Sequence, residues 1–360
     1  MGRIIAGLLL VLAAAGGAAA FLSTSAEAND IVPFETVFNT DVAGAGYGGM
    51  RTIGTGQIDL TGVSGTVTRA LLYWHGPTDT ADTAAGTAVT FAGTDITGTN
   101  IGLSSDNCWD FQNSQAYYAD VTSLVTGDGT YALDGFIDTD VEINGASLIV
   151  FFDDGDDSNN RDVVLFHGND SNVVDNGFDA DGWNVSLPGI NYASGTASMD
   201  LHVGDGQSFD DSPIVLNGSI TLDAGPAIFQ GDTVPNGASA ADTDGGLWDI
   251  RSFDVTSALT PGDNTLTLTT DYVDDCLSLV VAAVNLPAGS APGQPTPTAE
   301  PATATAAAPT ATVAAVALPD TGTGTASDGS VAVPLLALLG GVGIAFGAGY
   351  AALRVRAAKA

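Results

Sequence analysis

The sequence predicts an all-β protein whose central body consists of two related, jelly-roll-like β-sandwich repeats. Short runs of apolar and β-branched residues recur between Gly, Asn and Asp, for example at 147–152 and 277–284. The body contains no long apolar segment with helical spacing, so strands are favoured over helices. A motif that returns in the second half of the body predicts the repeat.

This motif is Asp-Val-Thr-Ser, which begins at Asp120 and again at Asp254. Each copy follows a Trp-Asp pair, at Trp109 and Trp248, and precedes a Gly-containing turn and an apolar run. We expect the aspartate to cap a single helical turn by accepting backbone N–H groups, and the glycine to turn the chain into the next strand. The two copies predict sandwiches in tandem or as a pseudo-symmetric pair, with the two tryptophans at equivalent core positions.

The composition is strongly acidic. The 360-residue chain carries 42 Asp and Glu against 8 Lys and Arg, a formal net charge of -34, and only four of the acids are glutamate. Aspartate and glycine favour turns, so we expect acidic loops between the strands. A surface of this charge repels phosphate backbones, which excludes nucleic acid as a partner.

The N-terminal residues 1–28 have the form of a secretory signal peptide. Arg3 is followed by the apolar run 4–21, and small residues stand at Ala26 and Ala28. This pattern predicts cleavage by signal peptidase after Ala28. An uncleaved membrane anchor is the alternative.

The C-terminal part has three further segments. Residues 289–317 are rich in Pro, Thr and Ala and have no apolar periodicity, which predicts a disordered, extended stalk. The uncharged apolar segment 331–353 is long enough to span a membrane as a helix. The basic tail 354–360 would hold its end on the cytoplasmic side.

Between the stalk and the apolar segment lies a short motif formed by Leu318, Pro319, Asp320, Thr321 and Gly322. Together with the membrane segment and basic tail, it resembles the LPxTG-like sorting signal of sortase-anchored surface proteins. The resemblance implies that a sortase cleaves after the threonine of the motif and transfers it to an amine of the cell envelope. Retention of the apolar segment as the anchor is the alternative.

These features predict the following organisation: signal peptide 1–28, first sandwich 29–193, second sandwich 194–288, stalk 289–317, sorting motif 318–322, transmembrane helix 331–353 and cytoplasmic tail 354–360.

The body also resembles galactose-binding-like jelly-roll domains, and more broadly the poorly characterised repeat modules of bacterial and archaeal surface proteins. The aspartate-capped turns and the Gly-Asp-Asn-Thr hairpin at 262–265 carry the resemblance, with the apolar pieces 70–74, 147–152, 161–168 and 214–218. These pieces cover most of the body. The resemblance implies a fold, and it implies no agreed ligand.

The two cysteines, Cys108 and Cys276, are predicted to form a disulfide, because the chain is expected to leave the reducing cytoplasm. Two buried thiols are the alternative. A thioester between Cys108 and Gln112 is a further alternative, although the local sequence does not match the usual thioester pattern.

Two acidic loops are the candidate metal sites. Carboxylates closely spaced in short loops suit Ca²⁺, but neither loop follows the EF-hand pattern, and solvated acidic turns are the alternative. No cofactor is expected, with Ca²⁺ at these loops as the alternative, and zinc binding by His75, His167 and His202 has no support from their spacing. The candidate calcium ligands are Asp153, Asp154, Asp156, Asp157, Asp175, Asp179 and Asp181.

The expected function is that of a non-enzymatic surface protein, displayed outside the cell for adhesion or envelope structure. Its expected partners are signal peptidase, a sortase, an envelope amine, the membrane, and an extracellular glycan or protein. One alternative is carbohydrate binding, and another is an extracellular hydrolase that uses Asp179 and Asp181. The aromatic residues considered for stacking on sugars are Tyr73, Trp74, Trp109, Tyr117, Tyr118, Trp183 and Trp248.

Overall fold

The computed structural model describes residues 30–289, except 138, 139, 176 and 238–243. The predicted signal peptide, sorting motif, transmembrane segment and tail lie outside the described residues, as does the stalk beyond residue 289. Within the described part of the chain, none of the helical segments has the length and apolar character needed to cross a membrane.

The body is all-β, as the sequence predicts, and the part of it that the structure describes holds only two short 3₁₀ turns as helical elements. The elements up to residue 153 are β1 (Ile31–Tyr47), β2 (Gly56–Leu60), β3 (Thr66–Thr78), β4 (Ala88–Phe91), β5 (Thr94–Thr97), β6 (Thr99–Ser104), β7 (Asn113–Asp120), η1 (Thr122–Leu124), β8 (Gly129–Asp134) and β9 (Gly145–Asp153). The remaining elements are β10 (Arg161–Ser171), β11 (Asn184–Tyr192), β12 (Ser198–Gly204), β13 (Ile214–Leu216), β14 (Ile220–Asp223), β15 (Trp248–Asp254), η2 (Thr256–Ala258), β16 (Gly262–Thr269) and β17 (Ser278–Pro287).

The strands form one nine-stranded sheet and two four-stranded sheets. The order of the large sheet is β15-β12-β17-β10-β1-β9-β3-β7-β6, and the small sheets are β2-β8-β4-β5 and β11-β16-β13-β14. Strand β1 joins the two halves of the large sheet, because residues 31–40 pair with β10 and residues 41–47 pair with β9. All pairings between named strands are antiparallel.

The two halves of the body repeat the same topology. The order β7-β3-β9-β1 in one half corresponds to β15-β12-β17-β10 in the other, and the two small sheets correspond strand for strand. The strands β1–β5 therefore match β10–β14, and β7, β8 and β9 match β15, β16 and β17. Strand β6 has no counterpart among the described strands.

Three hydrophobic clusters hold these sheets together. Leu72 and Leu148 lie in the cluster between the first small sheet and its half of the large sheet, and Leu201 and Val284 lie in the corresponding second cluster. The neighbouring side chains along the same strands point the other way and form a third cluster between the two halves. This explains why the central strands are apolar at consecutive positions: both of their faces are buried. The third cluster contains Leu71, Tyr73, Ile149, Phe151, Val163, Leu165, Trp248, Val281 and Ala283, among others.

The packing divides the body between β9 and β10, and not after residue 193. Strands β10 and β11 were expected in the first sandwich, but Phe166 of β10 and Val185 of β11 pack in the same cluster as β12–β17. The Asp-Val-Thr-Ser motif marks only the later strands of each repeat. It therefore contains no information on where the second repeat begins.

The first copy of the motif forms the expected capped turn. Oδ1 of Asp120 accepts hydrogen bonds from the backbone N–H of Thr122 at 3.0 Å and from its hydroxyl at 2.6 Å. The hydroxyl oxygen of Thr122 in turn accepts the backbone N–H of Ala70 at 2.9 Å. The motif thus ties the turn η1 to the neighbouring strand β3.

The second copy repeats this arrangement. Oδ1 of Asp254 accepts the N–H of Thr256 at 2.8 Å, and the hydroxyl oxygen of Thr256 accepts the N–H of Ala197 at 2.9 Å. Ala197 directly precedes β12, the counterpart of β3. The side-chain contacts therefore support the same pseudo-symmetry as the order of the strands.

Candidate functional site

A disulfide bond between Cys108 and Cys276 connects the two repeats. Cys108 lies in the loop between β6 and β7, and Cys276 lies 168 residues later, between β16 and β17. The bond confirms the pairing that the sequence predicts. It also occupies the sulfur of Cys108, which excludes a thioester with Gln112 in this state.

Next to the disulfide, Trp109 is held by residues of both repeats. Its Nε1–H donates to the carboxylate of Asp205, with both oxygens at 2.8 Å. The same carboxylate accepts a hydrogen bond from Nδ2 of Asn144 at 3.1 Å. The guanidinium of Arg51 lies 3.6 Å from the centre of the indole ring. These contacts fix the indole at the junction of the repeats.

Arg51 is a buried cation at this junction. Its side chain is 1% exposed, and its Nε lies 3.6 Å from Oε2 of Glu142. A buried guanidinium is costly without compensating charge, which Glu142 supplies here, and the ring of Trp109 adds a cation–π contact. Arg51 therefore packs on the face of the Trp109 indole that is turned towards the protein interior.

The loop that carries Asp205 turns sharply after β12. Asp205 has a positive φ of 73°, and a Cβ atom on Gly206 would lie 2.1 Å from Oδ2 of Asp249. Only glycine allows this close approach. Oδ2 of Asp249 accepts the N–H of Gly231 at 2.7 Å, so the carboxylate that packs against Gly206 also links β15 to the chain that precedes it.

A groove of about 330 Å³ opens beside the disulfide, and we call it the aromatic groove. Phe209 is 42% exposed and Tyr272 is 49% exposed in it, whereas most aromatic side chains of the body are buried. A concave surface lined by aromatic rings and a few polar groups is a candidate binding site. Its lining is formed by Asn107, Cys108, Trp109, Gln207, Phe209, Asp244, Tyr272, Asp274 and Cys276.

Buried carboxylates lie behind this groove. Asp275 is 1% exposed, and its Oδ2 accepts the backbone N–H of Gln207 at 2.9 Å. Burial raises the pKa of Asp275 to about 9, and the negative charges of Asp205 and Asp211 act in the same direction. Burial also raises the pKa of Asp211 to about 6. The Asp275 carboxyl is therefore neutral near neutral pH, which limits the repulsion within this group.

The first candidate calcium loop lies between β9 and β10. Three of its carboxylates, on Asp153, Asp154 and Asp156, accept the backbone N–H two residues ahead at 2.9, 2.8 and 3.0 Å. The fourth, on Asp157, accepts a hydrogen bond from Nδ2 of Asn160 at 3.4 Å. These are capped turns of the kind that aspartate forms without a metal.

The second candidate calcium loop lies between β10 and β11. Asp179 is 1% exposed and accepts hydrogen bonds from Ser104 Oγ at 2.6 Å and from the N–H of Gly182 at 2.8 Å. Asp175 accepts the N–H of Gly177 at 2.8 Å, and Asp181 accepts Nδ2 of Asn184 at 3.2 Å, so the loop uses these carboxylates to hold its own shape.

The described residues contain no group of three or more His, Cys, Asp or Glu side chains that is arranged to hold a metal ion. Of the three histidines, His75 and His202 are buried, and burial lowers the pKa of each to about 3. His167 stacks on Phe34 with ring centres 4.1 Å apart. Nδ1 of His202 lies 2.7 Å from Oγ of Ser147, and the structure thus places all three histidines inside the body, within packing and hydrogen-bond contacts.

Most of the aromatic residues considered for sugar stacking belong to the core. Trp183 is 2% exposed and stacks on Phe229, and Trp74 and Trp248 are completely buried. The expected equivalence of Trp109 and Trp248 is wrong: Trp248 begins β15, whereas Trp109 lies in the loop before β7. Tyr73 and Tyr117 are also completely buried.

Phe209 and Tyr272, the most exposed rings of the groove, were not among the residues singled out in the sequence. Each is an aromatic residue next to aspartates: Phe209 is followed by Asp210 and Asp211, and Tyr272 lies between Asp271 and Asp274. An aromatic residue beside turn-forming acids is a signal that could have identified them.

Searches with this chain find no matching family model and no matching curated protein. The functional proposal therefore rests on the residues of the chain itself.

Proposed function

We propose that this protein is a non-enzymatic surface module of the bacterial envelope, displayed for adhesion or envelope structure and anchored through its C-terminal segments. The observation that carries the proposal is the disulfide between Cys108 and Cys276, which links the two repeats. Structural disulfides persist in oxidising compartments and are rare in the cytosol. The bond therefore agrees with the secretory and anchoring signals expected at the two ends.

The contacts between the repeats support a rigid head. The third hydrophobic cluster joins the repeats through Phe151, Leu165 and neighbouring side chains. Strand β1 is hydrogen-bonded to both halves of the large sheet, and Trp109 binds Asp205 across the junction. A body held in this way presents its loops in fixed positions, as display on a stalk requires.

The residues considered for the alternative functions support structural roles. Asp179, one of the two acids considered for a hydrolase, is buried and accepts hydrogen bonds from Ser104 and Gly182. Trp183, one of the residues considered for sugar stacking, is buried against Phe229. These contacts favour the non-enzymatic proposal over a hydrolase site at Asp179 or a sugar-binding site at Trp183.

Fractionation of cells that contain a sortase tests the proposal. We expect the wild-type protein in the cell-wall fraction and accessible to protease on intact cells. Thr321→Ala should move it to the membrane fraction, because the sortase loses its acyl-donating residue. Thr323→Ala, two positions beyond the motif, serves as the matched control and should leave the distribution unchanged.

Two results would contradict the proposal in different ways. An intact, unprocessed chain in the cytosol would exclude surface display altogether. Identical membrane localisation of wild type, Thr321→Ala and Thr323→Ala would exclude the sortase step but retain a membrane-anchored surface protein.

A further inference from the structure

The aromatic groove combines exposed rings with carboxylates. Phe209 and Tyr272 are each more than two-fifths exposed, and the exposed Asp244 and Asp274 lie on the same lining. None of the lining residues that the structure describes is basic. The groove is therefore apolar on its ring faces and negative at its rim.

The two exposed rings of the groove make no contact with another aromatic ring that the structure describes. Among the described residues, neither Phe209 nor Tyr272 stacks on another aromatic ring, although nine such pairs occur elsewhere in the body. Trp109 is held differently. Arg51 covers one face of its indole, and because Arg51 is buried and does not line the groove, this is the inner face.

The framework of the groove is fixed before any ligand arrives. The disulfide forms part of its lining, and the hydrogen bond between Trp109 and Asp205 positions the indole. Behind the lining, Asp275 binds the backbone of Gln207. A site that is already ordered loses less conformational entropy on binding, which favours affinity.

We propose that the aromatic groove binds a ligand that carries an alkylated ammonium group, with the rings of Phe209 and Tyr272 against its methyl groups and Asp274 near its charge. Aromatic faces attract such cations through the ring quadrupole, and methyl groups on nitrogen also gain apolar contact with the rings. The net charge of -34 attracts cationic ligands over a longer range and repels anionic ones. This inference does not depend on the anchoring proposal, because the groove lies entirely within the body.

Calorimetric titration of the full chain in a neutral polyoxyethylene detergent tests the inference, with choline chloride as the probe at constant ionic strength. The control ligand is the uncharged carbon isostere of choline, in which a tert-butyl group replaces the trimethylammonium group. We expect saturable binding of choline at millimolar concentration and much weaker binding of the isostere.

Variants locate the site. Phe209→Ala and Tyr272→Ala should each weaken choline binding about threefold to tenfold, with little change in melting temperature because both rings are half exposed. Asp274→Asn should also weaken it. The matched control is Asp263→Asn, which removes the same charge from an exposed position at the other end of β16 and should leave affinity unchanged.

Three outcomes would overturn the inference. Equal binding of choline and its isostere would indicate an apolar groove without selectivity for a cation. Equal weakening by Asp274→Asn and Asp263→Asn would indicate diffuse attraction to the acidic surface. Binding of neutral pyranoses that is lost in Tyr272→Ala, without binding of choline, would assign the groove to carbohydrate.

Discussion

The indole Nε1–H of Trp109 donates a hydrogen bond to the buried carboxylate of Asp205, and this bond connects a loop of the first repeat to the end of a strand in the second. Asp205 is completely buried, and its carboxylate also accepts a hydrogen bond from Nδ2 of Asn144. The bond therefore contributes both to the cohesion of the repeats and to the position of an indole that lines the groove.

A double-mutant cycle measures this bond. Trp109→Phe removes the N–H, and Asp205→Asn removes the acceptor charge. We expect each change to lower the free energy of unfolding, with a coupling energy of about 1.5–3 kcal/mol, because a hydrogen bond to a charged group is lost. Urea unfolding provides the measurement. A coupling energy near zero would show that the bond does not stabilise the body.

The disulfide should make a large contribution to stability. Replacing both Cys108 and Cys276 by serine opens a loop of 168 residues. On the chain-entropy model, the free energy of unfolding should fall by up to about 5 kcal/mol. Denaturant unfolding of this variant should match that of the wild type under reducing conditions. A variant as stable as the oxidised wild type would contradict a role for the bond in cohesion.

The free energy of unfolding should fall as the pH rises from about 4 to 9, because of the Asp275 carboxyl. Because burial raises the pKa of Asp275 to about 9, the folded state retains a proton that the unfolded chain releases near its ordinary value of about 4. The protonated Asp275 carboxyl therefore contributes its full stabilisation below about pH 4. This contribution is lost as the pH rises towards about 9, the pKa of Asp275 in the folded protein.

Asp275→Asn isolates this effect from the general repulsion among the carboxylates. The neutral amide should raise the free energy of unfolding near pH 8, by up to about 5 kcal/mol on the linkage relation, and flatten its decline with pH. Unfolding curves of Asp275→Asn and of the surface control Asp263→Asn, recorded across the pH range, provide the test. Equal slopes in the two variants would refute the contribution of Asp275.

The two capped turns should contribute similar energies. Thr122→Val and Thr256→Val each remove the hydroxyl that accepts the N–H of Ala70 or Ala197. We expect each to lower the free energy of unfolding by about 1–2 kcal/mol, because each leaves a partly buried N–H without its partner. Thr94→Val, at an exposed position of β5, is the control. Destabilisation by only one of the two changes would show that the repeats are not energetically equivalent.

The features that could be predicted from the sequence are those determined by residues close together along the chain. The all-β class follows from short apolar runs, and the capped turns at Asp120 and Asp254 follow from a motif that needs only neighbouring residues. The pairing of Cys108 with Cys276 also follows, because the described part of the chain contains no other cysteine.

The features that it missed depend on distant contacts. The start of the second repeat at β10 is set by packing of Phe166 and Val185 with later strands, and no local motif marks it. Burial of Trp183 depends on Phe229, which lies in another loop. The aromatic groove is assembled from four loops that are far apart in sequence, so its residues could not be grouped before the fold was known.

The pairing of β1 with both β9 and β10 has a consequence for how the chain acquires its structure. The N-terminal half of β1 is made first during synthesis, yet its hydrogen-bonding partner belongs to the repeat that is made last. Until β10 emerges, that half of the strand presents unsatisfied peptide groups, which invite pairing with other chains. The two repeats are thus expected to fold as one cooperative unit. A chaperone that binds the nascent chain would be needed most at β1.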